Sequence, residues 1–182
     1  VLFRSIEASA REVMPDALGP VAGWLGRRWP RSRSLPRPLR VGTLLENLGR
    51  DPASAYYFDL AFLKPAATRR LMGLAPDGSL EQSPVFAAVT EPYRRCPSSN
   101  AVQRAAYADL HVYMPNDPLV KVDRMSMAHS LEVRCPLLDR RLVELAFRIP
   151  AERKQQGRTG KALLCRLARE RLPEGLWKLP KK

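Results

Sequence analysis

Apolar residues recur at helical spacing along most of this chain, and prolines divide the pattern into short segments. Between residues 6 and 29 the apolar points Val13, Leu18, Val21, Trp24 and Leu25 fit a helical face. Pro15 and Pro20 impose breaks there, so several short helices are predicted instead of one. The Pro/Arg/Ser stretch from Pro30 to Pro38 reads as a linker. Leu39 to Leu48 is periodic again, with Gly49 as its C-terminal stop. Asp51 can cap the next helix with Pro52 at its first position, and Tyr56, Phe58, Leu60 and Phe62 supply bulk for a core. Pro65 to Met72 is a further short helix ended by Gly73, and APDGSLEQSP over 75–84 is a turn-rich loop.

A helix from about Val85 to Tyr93 runs up to the Cys96-Pro97 break. Ser98 or Ser99 can cap a stronger one reaching about Tyr113, with Tyr107, Leu110 and Tyr113 on one side. No strand-like alternation is longer than Leu131 to Cys135, and no internal repeat is present. The chain is therefore read as mostly α, with about eight or nine helices joined by short Pro-rich loops.

The segment VKVDRMSMAHSLEVRCPLLD, residues 120–139, complicates this picture because it is apolar enough to be buried and yet carries six charged side chains. Asn116 or Asp117 can accept from the free N–H groups of a helix start there, and Pro118 needs no donor at that position. From Leu119 the residues Val120, Val122, Met125, Met127 and Ala128 surround the helix instead of lining one stripe, which predicts burial on most sides. Asp117, Lys121 and Arg124 share a face at i, i+4 and i+7, within reach of one another, and Asp123 lies beside it. Charges removed from water cost several kcal/mol each unless they are paired, so a segment that retains them should have a use for them. Pro136 biases Cys135 towards an extended conformation, which takes Leu131 to Cys135 out of the helix and sends Glu132 and Arg134 to the same side. Asp139 can cap a helix from Arg140 to Arg148 whose Leu142, Val143, Leu145, Ala146 and Phe147 face the core. The plain alternative is a structural salt-bridge network that fixes helix register.

Composition narrows the function classes. At 182 residues, 45% hydrophobic and 27% charged, the chain can build one soluble domain with a real core. No apolar run approaches the ~20 residues needed to cross a bilayer and no leader pattern opens the chain, so a cytoplasmic setting is expected. Cys96, Cys135 and Cys165 form no C-x-x-C pair, and His111 and His129 stand outside any metal-ligand spacing, so no dedicated metal site is expected. The net charge of +13 with pI near 10.4 raises nucleic acid as a partner. The densest basic stretch, residues 26–40, has one aromatic residue and no aromatic and basic interleaving, so a solvated linker is favoured. A basic module binding nucleic acid or an acidic partner through residues 26–50 is the alternative from another class, and salt-dependent binding to random DNA without a response to ATP would mark it. Residues 1–5, VLFRS, read as a non-native leader, and the abrupt stop at Lys182 suggests a fragment of something longer.

The run LVKVDRMSMAHSLEVRCPLLDRRLVELAFRIP, preceded by YMPND and followed by GRTGKALLCRLARERLPEGLWKLPKK, resembles the C-terminal part of the synthetase domain of glutamine-hydrolysing asparagine synthetases. The resemblance is strong over residues 107–182 and looser but collinear upstream; Leu137 stands where the family commonly has Phe. It implies that residues 6–182 are a fragment of one domain: helices over 6–29, a linker over 30–38, a helical part over 39–106 and a motif-bearing helical core over 107–182. It also implies the helical C-terminal portion of an adenine-nucleotide α-hydrolase-like (PP-loop ATP pyrophosphatase) synthetase domain, whose α/β sheet part is missing. Enzymes of this family use ATP and Mg²⁺ to adenylate aspartate, and ammonia released by an N-terminal glutaminase attacks the acyl-adenylate. The SGGxDS and SGxGxDE loops and the leading Cys of such enzymes do not occur in these 182 residues, so the chain is not expected to complete the reaction alone. Relatives that close a β-lactam or amidate other carboxylates share the same motifs.

Residue by residue, the resemblance implies that Lys181, in LPKK, approaches the adenylate phosphate, where a fixed ammonium opposes the growing negative charge. Asp117 falls about where the β-lactam-forming enzymes place an acidic partner of their catalytic base, although its position at a helix start also suits an N-cap. Lys121, Arg124, Glu132 and Arg134 are expected to shape the nucleotide and acyl pocket. Thr159 reads as the N-cap of a helix from Gly160 to Arg171, with Lys161 in its first turn meeting a phosphate or solvent.

Overall fold

Prolines and short polar caps decide where the helices begin. In the computed structural model, which describes residues 7, 10, 11, 13–30, 32, 36, 39, 41–74, 83–154, 161–173 and 176, all regular structure is helical and no strand forms among those residues. A 3-10 turn, Asp16–Leu18, leads into α1 (Gly19–Arg28), which has Pro20 in its first turn. Then come α2 (Gly42–Leu48), α3 (Pro52–Leu60), α4 (Pro65–Leu71), α5 (Pro84–Arg95) and α6 (Ala101–Ala108). A π-helical turn, Asp109–Tyr113, and a short α-helical stretch, Met114–Asn116, connect α6 to α7 (Pro118–Met127). After a 3-10 turn at Pro136–Leu138 follow α8 (Arg140–Arg148), α9 (Ala151–Lys154) and α10 (Ala162–Arg171). Described residues up to Glu132 form one unit and those from Val133 form another.

Two expected caps are in place. Asp51 accepts from the Ala53 and Ser54 N–H groups at 3.1 and 3.2 Å, and Asp139 accepts from the Arg141 N–H at 3.0 Å. Gly73, at φ +69°, ends α4 in the left-handed region that glycine enters without strain. Asn100, not Ser98 or Ser99, caps α6 by accepting from Val102 and Gln103, while the Ser98 hydroxyl contacts the Gln103 side chain. An Asn side chain satisfies the free N–H groups as well as Ser does, and Asn100 is the residue adjacent to the first helical turn. Asp51→Ala is expected to cost about 1 kcal/mol of stability, measured by urea denaturation at neutral pH. Burial raises the Asp51 pKa, but its hydrogen bonds to Ser54 and Ala53 and the Arg94 charge outweigh that, leaving the group below its ordinary 3.8. The ionised cap therefore contributes above the unfolded value, and its advantage disappears as pH falls through the folded one.

The core of the unit up to Glu132 gathers Ala53, Tyr56, Tyr93, Ala105 and Ala108, with Leu60 and Val89 packed against it. Tyr56 and Tyr93 stack with ring centroids 5.2 Å apart, and the Tyr57 ring meets Phe86 edge-on at 5.1 Å. Phe62, expected in the core, is 99% exposed because α3 ends at Leu60 and the chain bends away. The α1 face is also reversed from expectation. Gly19, Ala22, Gly23 and Gly26 are buried against α2, whereas Val21, Trp24 and Leu25 point outward. A Cβ at Gly26 would lie 2.7 Å from the Glu46 Cα and 2.7 Å from the Leu45 carbonyl carbon, so the two backbones are in direct contact. Gly49 ends α2, but with φ −82° it does so without a left-handed turn; its lack of a side chain lets it meet Gly23.

Charged and polar residues around α2 are also inside. Glu7, Glu46 and Asn47 are buried. The Arg11 guanidinium donates to the Glu7 carboxylate at 3.0 Å, to the Arg50 carbonyl at 2.9 Å and to the Asn47 carbonyl, which neutralises one charge and closes the C-terminal end of α2. The Asn47 amide donates to Asp59 at 2.8 Å and to Glu7 at 3.5 Å, and Glu46 pairs with Arg50 and Lys64. Among the described residues no buried side-chain nitrogen or oxygen lacks a hydrogen-bond partner.

In the unit from Val133, α8 has the expected bounds, but Leu142 and Leu145 are exposed and Val143, Ala146 and Phe147 only half-buried. The Lys154 ammonium donates to the Ala146 carbonyl at 2.9 Å and so closes the end of α8.

Candidate functional site

Helix α7 carries the charged residues that the sequence singles out, and it lies at the surface. Val120, Val122, Met125 and Met127 are all exposed, Met125 to 66%, so the predicted burial of this helix is overturned within the chain. Of the described elements of its own unit, the adjoining Met114–Asn116 stretch makes the most extensive contact with α7, and the charges of α7 stay in water. Asp117 precedes α7 but does not cap it. Its carboxylate turns instead to the Lys121 ammonium, one turn along, in a direct ion pair. The pair is solvent-accessible, with the Lys121 side chain 70% and the Asp117 side chain 40% exposed. The hydrogen bond from Lys121 to Asp117, and then the carboxylate's charge, hold the Lys121 pKa above its ordinary value. Lys121 is cationic at neutral pH as any exposed lysine is, and Asp117 balances its charge locally.

Arg124 is exposed on the same helix and is not drawn into that pair. Asn116 does not cap either; its amide donates to the Val112 carbonyl at 2.8 Å. Glu132 and Arg134 are exposed and fall on either side of the boundary between the two units. Leu131 to Cys135 forms no strand. Lys161 is exposed and stands immediately before α10 with φ 59° and ψ 36°, in the left-handed region, so it lies outside the first turn where it was expected. The helix starts at Ala162, later than Gly160. Thr159 and Lys181 lie outside the described residues.

An open groove of about 830 Å³ between α3, α4 and α5 is walled by apolar side chains such as Leu60, Met72 and Val89. It brings together none of the expected site residues. Among the described residues no group of three or more His, Cys, Asp and Glu side chains is placed to hold a metal ion. No described helix is long and apolar enough to cross a membrane.

Two arrangements escaped sequence reasoning. The buried ionic cluster around Arg11 and Glu46 was signalled only by the i, i+4 pairs Glu7–Arg11 and Glu46–Arg50. The π-helical turn before Asp117 was signalled by Pro115, which sits inside an otherwise helical run.

These features define a helical domain that presents a cation paired with a carboxylate at the head of one helix. The chain belongs to the asparagine synthase family, whose sequence pattern matches residues 9–182. It is 40% identical over 77 residues to "Asparagine synthetase [glutamine-hydrolyzing] 1" of Bacillus subtilis (strain 168), a match covering 42% of this chain and 12% of that protein. It is 31% identical over 152 residues to "Putative asparagine synthetase [glutamine-hydrolyzing]" of Mycobacterium tuberculosis (strain ATCC 25618 / H37Rv), covering 82% of this chain and 22% of the relative. These matches thus span between 12% and 22% of the relatives' own lengths. No solved structure matches the chain significantly.

Proposed function

We propose that the chain is the C-terminal part of the synthetase domain of a cytoplasmic, ATP-dependent amide-forming ligase. Its substrates on this reading are aspartate, ATP and ammonia taken from glutamine by an N-terminal glutaminase. The described helices belong to a PP-loop ATP pyrophosphatase fold whose α/β sheet and phosphate-gripping loops are encoded upstream. The aspartate side-chain carboxylate attacks the α-phosphorus of ATP and expels pyrophosphate; ammonia then attacks the acyl carbon, expels AMP and loses a proton. What supports the reading is the family match across residues 9–182.

Within that reaction this chain contributes fixed charge. Negative charge builds on the α-phosphate during adenylation, and the Lys181 ammonium opposes it. Lys121, paired with Asp117, shapes the nucleotide and acyl pocket together with Arg124, Glu132 and Arg134. Lys161 stands in reserve as a phosphate contact.

The test uses a full-length ligase that contains this segment. Aspartate-dependent exchange of pyrophosphate into ATP is expected, and Lys181→Ala is expected to abolish pyrophosphate release without loss of helical circular dichroism. Unchanged turnover in Lys181→Ala removes that residue from the mechanism. Exchange driven by another carboxylate, with none from aspartate, moves the assignment to a β-lactam-forming or other amidating relative.

A further inference from the structure

The helical run that carries Asp117 contains a turn with one residue too many. At Asp109–Tyr113 the Met114 N–H bonds the Asp109 carbonyl, five residues back, where an α-helix would reach back four. Pro115 supplies a physical reason. It has no N–H to give the His111 carbonyl, and its ring collides with that carbonyl in unbroken α geometry. The turn relieves the collision. Helical bonding then resumes from the Asp117 N–H to the Tyr113 carbonyl at 3.0 Å and from the Lys121 N–H to the Asp117 carbonyl at 3.1 Å.

An extra residue has a large geometric effect. Each residue of an α-helix advances the side-chain direction by about 100°, so inserting one re-aims the stretch up to Asn116 by about that angle relative to the buried face of α6, and the bend at Asp117 then sets off α7 from that stretch. Upstream, Ala105 and Ala108 hold that face in the core. At the junction, the Tyr56 hydroxyl on α3 donates to the Asp109 carboxylate at 2.9 Å, and its ring is locked against Tyr93. The turn itself lies against α5. One end of the turn is thereby tied to the core, with the Tyr56–Asp109 hydrogen bond as a directional part of that tie, and the other end presents Asp117 and Lys121.

We propose that Tyr56 is a positioning residue: its hydroxyl on Asp109 pins the π turn and so sets the direction in which the Asp117–Lys121 pair meets the substrate. This rests on the reading that the pair faces the nucleotide or acyl pocket of a ligase. Tyr56 touches no reacting atom; it acts through Asp109 and the turn.

Tyr56→Phe keeps the ring and its stacking and removes only the hydroxyl. In a full-length ligase containing this segment, it is expected to lower kcat for pyrophosphate release about tenfold while KM for ATP stays within about twofold, because misaimed groups lose transition-state contacts before ground-state binding. In a Lys121→Ala background the same substitution is expected to cost less than about twofold, since effects transmitted through one group do not multiply. Asp109→Leu should reproduce Tyr56→Phe, and Asp109→Asn, which retains an acceptor oxygen, should lose much less. If Tyr56→Phe fails to fold, the Asp109 pair of variants carries the same comparison. Wild-type kcat in Tyr56→Phe, or losses that multiply in full with Lys121→Ala, would overturn the proposal while leaving the ligase reading intact. Absence of carboxylate-dependent pyrophosphate exchange in the unsubstituted enzyme would overturn both.

Discussion

Gly26→Ala is expected to destabilise the chain by about 3 kcal/mol or more, the largest loss from adding a single methyl group anywhere in the described helices. The added Cβ would fall 2.7 Å from the Glu46 Cα and 2.7 Å from the Leu45 carbonyl carbon. These are backbone atoms of α2, so no side chain can rotate to make room and the two helices must separate. Separation moves the α2 backbone that carries Glu46 and Asn47, whose side chains bond Arg50 and Asp59. Domains of this size have a total stability of about 5–15 kcal/mol, so a thermal melt should show an earlier transition, and one less cooperative. Gly73→Ala is the matched control. Its Cβ would meet nothing within 4 Å, and only the positive φ of 69° is strained, so about 1 kcal/mol is expected. Equal losses in the two variants would refute the close α1–α2 contact.

Arg11→Met should be nearly as damaging, at about 3 kcal/mol near neutral pH, because it keeps the length of the side chain while leaving a buried carboxylate and two carbonyls without their donor. The loss should carry a pH signature. Burial, and to a lesser degree the Asp59 charge, push the Glu7 carboxyl above its ordinary 4.5, while Arg11 and the Asn47 amide pull it down, and the net direction is upward. A carboxyl whose folded pKa is raised favours the folded state when protonated, and that advantage is lost as pH rises through the folded value. Removing Arg11 takes away the group that favours the ionised form and raises the value further. The deficit of Arg11→Met relative to the parent should therefore be smallest below the ordinary value of 4.5 and should widen towards neutrality. Urea midpoints at about pH 5 and about pH 8 measure this, and a deficit independent of pH would mean that Glu7 is not the partner.

The candidate site was partly legible in the sequence. The spacing of Asp117 and Lys121 predicts an ion pair, and the pair forms, since two residues four apart on a helix meet whatever surrounds them. The expectation that the pair would be enclosed by apolar neighbours fails because apolar composition does not create a covering partner. Asp117 could not be assigned between capping and pairing from spacing alone; its backbone at φ −128° and ψ −72° lies outside the extended region that the working caps Asp51 and Asn100 adopt, and its carboxylate pairs with Lys121 instead. The π turn left only Pro115 as its trace, and a proline in a helical run is equally consistent with a kink or a break.

Local sequence by itself determined the helical class and many of the helix boundaries: Asp51 with Pro52, Asp139 and Gly73 act through hydrogen bonds and φ angles within a few residues of themselves. Tertiary structure alone decided which faces are inside. It turned the glycines of α1 inward and its Trp24 outward, buried Glu7 beside Asn47, forty residues away, and left α7 in solvent. The reason is that a cap or a turn is satisfied by its neighbours in the chain, whereas burial depends on how closely a distant backbone can approach.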